Sequence, residues 1–559
     1  MTEHLLGIHC SYLDGQFLAD GNCALASDGE LVFAIAEERV SRIKYDGRFQ
    51  AGLAYLLRRK GLQASDIAAI AVSTFGLENP PTASETDAVE RVIRDALPGF
   101  RGEIRLMGSH HEAHAYSALA LAGVTDALVA VIDNEDSLLA PRTSKVVGFN
   151  AVERTSYFLW RGNTLELVAR DHAGPGHVGY GKAYSKLTRY LGFGNYHASG
   201  KTMGLAAFGD PARFGELTLF ERCENPETRM RNSADGVQDV IDWFTQQECP
   251  LPEPRGDKPL RRIDADIAAW IQTELEQSVE HRMQGLCAQH KPVTAALAGG
   301  VALNSVMNAA LRRNLPVSDV FVPPSPGDAG LSIGALAWLI HQRHGSLPDW
   351  TPQIALGGHY SNEEISDVLQ AHNGIRWEAC DDPAASAAEA IAAGAIIGWH
   401  QGASEFGPRS LGQRSILANP GSPWGHVTLN GAVKHREWFR PFAPAVTHEA
   451  ISTYFDDPRG SPFMMQTSGV TRAGRTRIPA ATHVDDSARL QSVSAQASPD
   501  FHRLLTHLGE ATGTPVSLNT SFNDNGEPIV ETPADSLASF LRMDWIDTLF
   551  VGNWRVRRS

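Results

Sequence analysis

Three strand-like runs open the chain, and Asp-Gly pairs punctuate them. "LLGIHC", "GNCALAS" and "GELVFAIAEER" are interrupted by Asp14-Gly15, Asp20-Gly21 and Asp28-Gly29. Asp-Gly supplies the backbone that tight turns need, so the first 45 residues read as an antiparallel meander. A helix ("FQAGLAYLLRRKGL") and a strand ("IAAIAVSTF") follow; then "HHEAHAYSALALAG" reads as a helix and "DALVAVIDNEDS" as a buried strand ending in acids. Strands and helices alternating at this rhythm predict an α/β fold.

A chain of 559 residues exceeds one core, and length alone suggests about three to four domain-sized units. Residues 174–210 are rich in glycine and aromatics and read as a loop bringing backbone close to a ligand. "DADIAAWIQTELEQSVEHRMQGLCAQ" reads as a long amphipathic helix, and "PVTAALAGGVALNSVMNAALRR" as strand, turn and helix. Composition shifts to proline and glycine at "GSLPDWTPQIALGGHYS", placing a boundary near residue 348: residues 1–348 form one domain and 349–559 a second α/β unit. No internal repeat is evident in the sequence.

His110 and His114, one helical turn apart, share a face and can reach one metal ion. The alternative is a polar surface helix carrying three histidines. Glu112 is misplaced for an H-E-x-x-H protease site. Asp133, at the end of an apolar strand, and Asp328, in the "PGDAG" turn, would complete a two-His, two-Asp set suited to iron, zinc or manganese; each alone is an ordinary turn or cap residue. "LAGGVALNS" places Gly299-Gly300 between a strand and a helix N-terminus, where backbone amides favour an anion, although a plain tight turn has the same pattern. The densest cationic stretch is C-terminal: Arg409 and Arg414, then Lys434, His435, Arg436 and Arg440 interleaved with Phe, Trp and Pro. Such arginines suit a phosphorylated ligand, or a basic rim pairing with the chain's own carboxylates. Asn519, Ser521 and Asn523 in "NTSFN" add small hydrogen-bonding groups that orient a phosphate or ribose.

A net charge of −15 argues against a broad nucleic-acid surface. Six scattered cysteines without a C-x-x-C pair, an N-terminus lacking a signal peptide and no long apolar run point to the cytoplasm, with no membrane partner.

"HHEAH", "SGKTMGLAAFGDP", "LAGGVALN", "PPSPGDAG", "EFGPRSLGQRSIL", "VKHREWFRPFAP", "THVDDSAR" and "NTSFNDNGEPIV" stand in the order found in O-carbamoyltransferases of the NodU/CmcH type. The chain resembles that family from about residue 5 to residue 552. The resemblance implies an actin-like ATPase (ASKHA) fold at the N-terminus and a YrdC-like α/β domain at the C-terminus. It further implies that carbamoyl phosphate and ATP, with Mg, form carbamoyl-adenylate in the second domain, and that the carbamoyl group passes to a hydroxyl of a secondary metabolite. Carried over by motif, Arg409, Lys434, Arg440 and Ser521 hold carbamoyl phosphate and the ATP phosphates, aided by Arg414, Asn519 and Asn523. His110, His114, Asp133 and Asp328 hold the divalent metal; Gly299, Gly300, Asn304 and Lys201 cradle the nucleotide. The family's His-Asp pair is reduced here to Leu13-Asp14, which leaves Asp14 and the earlier His9 as candidates for the catalytic base. Asn134 also departs from the family's usual Asp-Gly. The alternatives are a metal-dependent hydrolase or deacylase, or an altered relative using a non-alcohol acceptor. The acceptor scaffold and the metal stay open, as does the assembly, for which a homodimer is one expectation.

Overall fold

In the computed structural model, the described residues are 2–13, 16–74, 81–134, 153–172, 179–215, 217–222, 228–230, 236–246, 259–350, 354–423 and 425–559. Asp28 and Gly29 both take positive φ, 49° and 86°, and turn the chain between Asn22–Ser27 and Glu30–Ala36. Asn22–Ser27 also pairs antiparallel with His4–His9, so the expected meander is present. Ile67–Ser73 then returns parallel beside His4–His9, and Glu103–Leu106 parallel beside that. Numbered in chain order, these five strands lie 3-2-1-4-5 across the sheet.

The same order recurs. Asp126–Ile132, Glu153–Arg161, Thr164–His172, Thr294–Ala298 and Val320–Phe321 form a second five-stranded sheet, again 3-2-1-4-5: an antiparallel meander followed by parallel strands. Two sheets of one topology in succession are the duplicated architecture of an actin-like ATPase, as the resemblance implied. The repeat lies in topology and not in residues, because alternation and burial fix a strand while leaving its side chains free to diverge.

Two glycines set how closely the first unit packs. A Cβ at Gly7, in the strand His4–His9, would fall 1.9 Å from the Ser332 carbonyl oxygen; one at Gly334 would fall 1.8 Å from that of Ala113. The helix Leu331–His344 therefore touches backbone on one side in a strand and on the other in the helix His110–Ala122.

The stretch expected as a loop at 174–210 is largely helical: Gly179–Tyr190, a 3-10 turn at Tyr196–Ala198 and Ser199–Ala206. Tyr180, Ala183, Tyr184, Leu187 and Tyr190 are buried at helical spacing. Glycine content misled the reading, since the glycines with positive φ (Gly179, Gly192 and Gly194) punctuate the helix ends.

By contact the chain forms two units: 1–32, 47–50 and 62–352, and then 33–46, 51–61 and 353–559. The second unit holds an eight-stranded mixed sheet, in the order Ile375–Ala379, Trp554–Arg558, Thr548–Val551, Ile397–His400, Arg414–Ala418, Val516–Ser521, Ala443–Thr447 and Gln491–Val493. Its strands alternate between two cores. Ile416, Leu549 and Val551 pack with Val446, Phe522 and Phe540, whereas Leu417 and Phe550 pack with Trp399, Phe501 and Leu505. The α/β character of the C-terminal domain is thus as expected. Among the described residues no helix is long and apolar enough to cross a membrane.

Gly334→Ala should lower the melting temperature of the whole chain, through overpacking of about 1–3 kcal/mol, measured by calorimetry or circular dichroism. A melt identical to wild type would contradict the close helix contact.

Candidate functional site

The helix His110–Ala122 starts at the first histidine, with the Ser109 hydroxyl accepting the Glu112 N–H at 3.2 Å. The whole helix is enclosed except Glu112 and Ala122, so its histidines face protein rather than water. His110 and His114, a turn apart, point to one place; His111 turns away to the Ser156 hydroxyl at 2.8 Å. Asp133 is the first residue after the strand Asp126–Ile132, and Asp328 opens the 3-10 turn Asp328–Gly330. One donor atom from each of His110, His114, Asp133 and Asp328 lies within 4.8 Å of all the others. All four expected metal-binding side chains are brought together.

Their spacing is that of donors around a common centre. His110 Nε2 is 3.3 Å from Asp328 Oδ1; His114 Nε2 is 3.2 Å from Asp133 Oδ2 and 3.4 Å from Asp328 Oδ1. His114 Nε2 is buried and makes no hydrogen bond of ordinary geometry, although two carboxylates face it. An ion with bonds of about 2.0–2.2 Å to such nitrogens and oxygens fits that arrangement. Without one, the charges settle on a proton. Burial alone would lower His114, but bonds to Asp133 and Asp328 raise it to about 10. Burial would raise Asp328, and the two histidines hold it well below the carboxylate range instead.

Backbone around the cluster is committed to it. Asp133 accepts the Asn134 N–H at 2.7 Å and the Gly300 N–H at 2.9 Å. Gly299, at φ 87°, donates to the Pro326 carbonyl at 2.8 Å. The two amides expected to cradle a nucleotide phosphate are therefore engaged within the protein, and Gly300 orients a metal-ligating carboxylate. Asn304 caps the helix Ser305–Asn314 by accepting the Met307 N–H at 3.0 Å, and its amide pairs with Gln272. Lys201 sits in the first turn of Ser199–Ala206. Asn22, missed in the sequence, donates to the Asp328 carbonyl at 2.9 Å and accepts the Ser332 N–H at 2.8 Å, bracing that turn.

His9 lies beside the cluster, its ring centroid 5.6 Å from that of His110. Nδ1 faces the Ser73 carbonyl at 3.1 Å and must donate, which leaves Nε2 to accept from the Ser11 hydroxyl at 3.1 Å. Burial, with the neighbouring histidines, pushes its imidazole down to about 3 against the pull of Asp328. Asp14, the other expected catalytic residue, lies outside the described residues.

In the second unit a π-helical turn, Leu429–Val433, delivers Lys434 inward. Its ammonium meets the Ser521 carbonyl at 2.9 Å and both the carbonyl and side-chain oxygens of Asn523. Ser521 Oγ donates to Asn523 Oδ1 at 2.6 Å. Lys434, Ser521 and Asn523 thus come together, with the lysine hydrogens directed at protein oxygens. Burial and the charges of Arg436 and Arg440 hold Lys434 well below the usual lysine range.

Around it stands a group of arginines. Burial and Arg440 depress Arg409; burial and Arg440 depress Arg436; burial with Arg409, Arg436 and Arg440 depresses Arg489. Arg409 Nε and Arg489 Nε are buried with no hydrogen-bond partner among the described residues. A guanidinium keeps its proton, so an anion is what relieves this crowding. Arg489 was missed because it follows Asp485 and Asp486 in "THVDDSAR" and reads as a surface partner for them; Arg475 pairs with Asp486 instead.

Two expected contributors do other work. Arg414 is fully buried, and its guanidinium donates to the carbonyls of Gln401, Gly402, Gln413, Gly358 and Glu531. It ties loops together and is corrected here to a structural residue. Asn519 is equally interior, bonded to Ser410 and Gln491. Both lie on sheet strands, where alternation sends one residue outward and the next into the core.

The model described as "Carbamoyltransferase N-terminus" matches residues 4–96 and 100–337, and "Carbamoyltransferase C-terminus" matches 388–558. Nodulation protein NolNO of Sinorhizobium fredii is 33% identical over 593 residues, covering 100% of this chain and 82% of that protein. A 3'-hydroxymethylcephem-O-carbamoyltransferase of Amycolatopsis lactamdurans is 26% identical, covering 97% and 98%. Among solved structures, HypF of T. kodakarensis aligns with a TM-score of 0.38 at 12% identity, over 62% of this chain and 48% of that one.

The raised His114 sets a pH dependence. Its charged form is favoured in the folded, metal-free protein, so the stabilisation is complete below about pH 6.5 and is lost as pH rises towards 10. Chelated protein should lose melting temperature across that window, and His114→Gln should flatten the slope. Zn, Mn or Fe(II), by displacing the proton, should restore stability in wild type only. Equal slopes in the two chelated proteins would refute the assignment.

Proposed function

The chain belongs to the carbamoyltransferase family and is an enzyme of that class; from that premise we propose that it is an ATP-dependent O-carbamoyltransferase, forming carbamoyl-adenylate and passing the carbamoyl group to a hydroxyl of a secondary metabolite. The name of the cephem enzyme, a relative along 97% of the chain, supports a small hydroxylated acceptor. What carries the reading is the presence of two chemically opposite centres: carboxylates and imidazoles in the first unit, and a crowd of buried guanidiniums in the second.

The second centre suits activation. Carbamoyl phosphate, water and ATP give carbamoyl-adenylate, phosphate and pyrophosphate, and every reactant but water is an anion. Arg409, Arg436, Arg440 and Arg489 hold these phosphates in register and offset charge at the reacting phosphorus, which is most of what catalysis of such transfers requires. Lys434, its hydrogens on Ser521 and Asn523, fixes the shape of the loop that faces the phosphates.

The first centre suits delivery. His110, His114, Asp133 and Asp328 would hold the divalent ion, with the Gly300 N–H orienting the Asp133 carboxylate and Asn22 bracing the backbone turn of Asp328. When bound, such an ion supplies Lewis acidity toward a carbonyl or phosphate oxygen. His9 stays neutral beside it with Nε2 as an acceptor. Ser11 donates to that nitrogen, so an acceptor hydroxyl would have to displace the serine for His9 to take its proton.

With carbamoyl phosphate and ATP, the purified protein should release pyrophosphate, and AMP once a hydroxylated acceptor is added, followed by chromatography. Arg440→Ala should cut pyrophosphate release by roughly 100-fold while leaving metal content unchanged. Formation of ADP without AMP would overturn the adenylate route.

A further inference from the structure

Asn430 is the second residue of the π-helical turn Leu429–Val433 and is buried. The wide turn closes with the Lys434 N–H donating to the Leu429 carbonyl at 2.9 Å. From there the side chain of Asn430 serves the loop that follows. Oδ1 accepts the Arg436 Nε–H at 2.7 Å. Nδ2 donates to the Trp438 carbonyl at 3.2 Å and to the Arg440 carbonyl at 2.9 Å. Its main-chain carbonyl accepts the Arg436 N–H at 3.0 Å. The amide can sit only one way round, because two carbonyls require a donor and a guanidinium requires an acceptor. His426 Nε2, facing the Arg440 carbonyl at 2.9 Å, must carry its hydrogen and adds a second donor there.

Arg436 shows what the arrangement achieves. Its Nε is on Asn430, Nη2 donates to the Pro441 carbonyl at 3.3 Å, and its face lies 4.4 Å from the centroid of the Phe442 ring. The plane of the guanidinium is thereby fixed. Nη1 makes no hydrogen bond among the described residues, so the group is held by its back edge with donors left for an anion. Arg440 is held by its carbonyl, while its guanidinium has Glu437 at 3.7 Å as its ion pair among the described residues. A carboxylate in the place of Asn430 would hold Arg436 as firmly but cancel its charge. A neutral amide orients the cation and leaves its field available to a ligand.

We propose that Asn430 is a positioning residue of the cation cluster, setting the Arg436 guanidinium and the Arg440 backbone against the phosphates of the bound substrates. This rests on reading the cluster as the site of carbamoyl phosphate and the ATP phosphates.

Steady-state pyrophosphate release by the full-length protein, with carbamoyl phosphate and ATP varied in turn, tests it. Asn430→Ala should raise the KM of one or both substrates about 10-fold. A residue that served only the fold would lower kcat through the folded fraction and leave KM unchanged, and that result would overturn the proposal. Arg436→Gln should also raise KM, and the double variant should fall well short of the product of the two single effects, since one residue acts through the other. A full product would overturn the proposal as well. Asn430→Asp matches asparagine in size, loses both donors and sets a carboxylate beside Arg436. It should raise KM at least as much as the alanine variant, and unchanged KM values here overturn the proposal even where Asn430→Ala does not fold. Wild-type KM values in Arg436→Gln would overturn the phosphate-site reading of Arg436 together with the proposal. Impaired Arg436→Gln beside unimpaired Asn430 variants would overturn the positioning role alone.

Discussion

The approach of helix Leu331–His344 to helix His110–Ala122 at Gly334 governs the first unit. Only a missing Cβ lets the Ala113 carbonyl lie against that helix. Ala113 sits between His110 and His114, and Asp328 lies just before Leu331, so the same contact that packs the helices sets the distance between imidazoles and carboxylate. Gly7 repeats the device on the strand side. The cluster of His110, His114, Asp133 and Asp328 thus borders a backbone-to-backbone packing contact, which fixes its 3.2–3.4 Å spacings.

The second unit depends on a different constraint, charge left uncompensated. Crowding buried cations is costly, and here burial with neighbouring guanidiniums, Arg440 among them, depresses Arg409, Arg436 and Arg489, Glu437 pulling Arg436 only partly back. Arg414 provides the contrast within the same sheet: equally buried, it is saturated by five backbone carbonyls and closes loops. Sequence spacing cannot separate these fates, because both kinds of arginine stand in "EFGPRSLGQRS". What separates them is whether oxygen atoms of the protein meet the guanidinium, a property of tertiary structure.

The same distinction explains what was legible. The meander, the buried strand Asp126–Ile132 and the helix bearing His110 and His114 follow from local period and turn chemistry, and Asp133 and Asp328 stand out by position, at a strand end and in a tight turn. The helices at 179–206 were obscured because glycines drew more weight than the spacing of Tyr180, Tyr184 and Leu187. The duplicated 3-2-1-4-5 sheets left no repeat in the residues, since topology is held by alternation and burial that many sequences satisfy. Asn22, which braces the Asp328 turn, and Gly300, which binds the Asp133 carboxylate, act through a side-chain amide and a main-chain N–H that no motif advertises.

Leu13, where a histidine is usual in the family, bears on how the two centres divide the work. An imidazole is present at the cluster nonetheless, because His9 reaches it from the end of its own strand. Yet its Nδ1 is fixed on the Ser73 carbonyl and its Nε2 on Ser11, and burial keeps it neutral. A neutral imidazole in that tautomer can accept one proton through Nε2, and the Ser11 hydroxyl competes for that nitrogen. Basicity pushed so low makes it a poor proton sink; under the proposed mechanism, activation of the carbamoyl group at the cationic centre is what would let so weak a base at the other centre suffice.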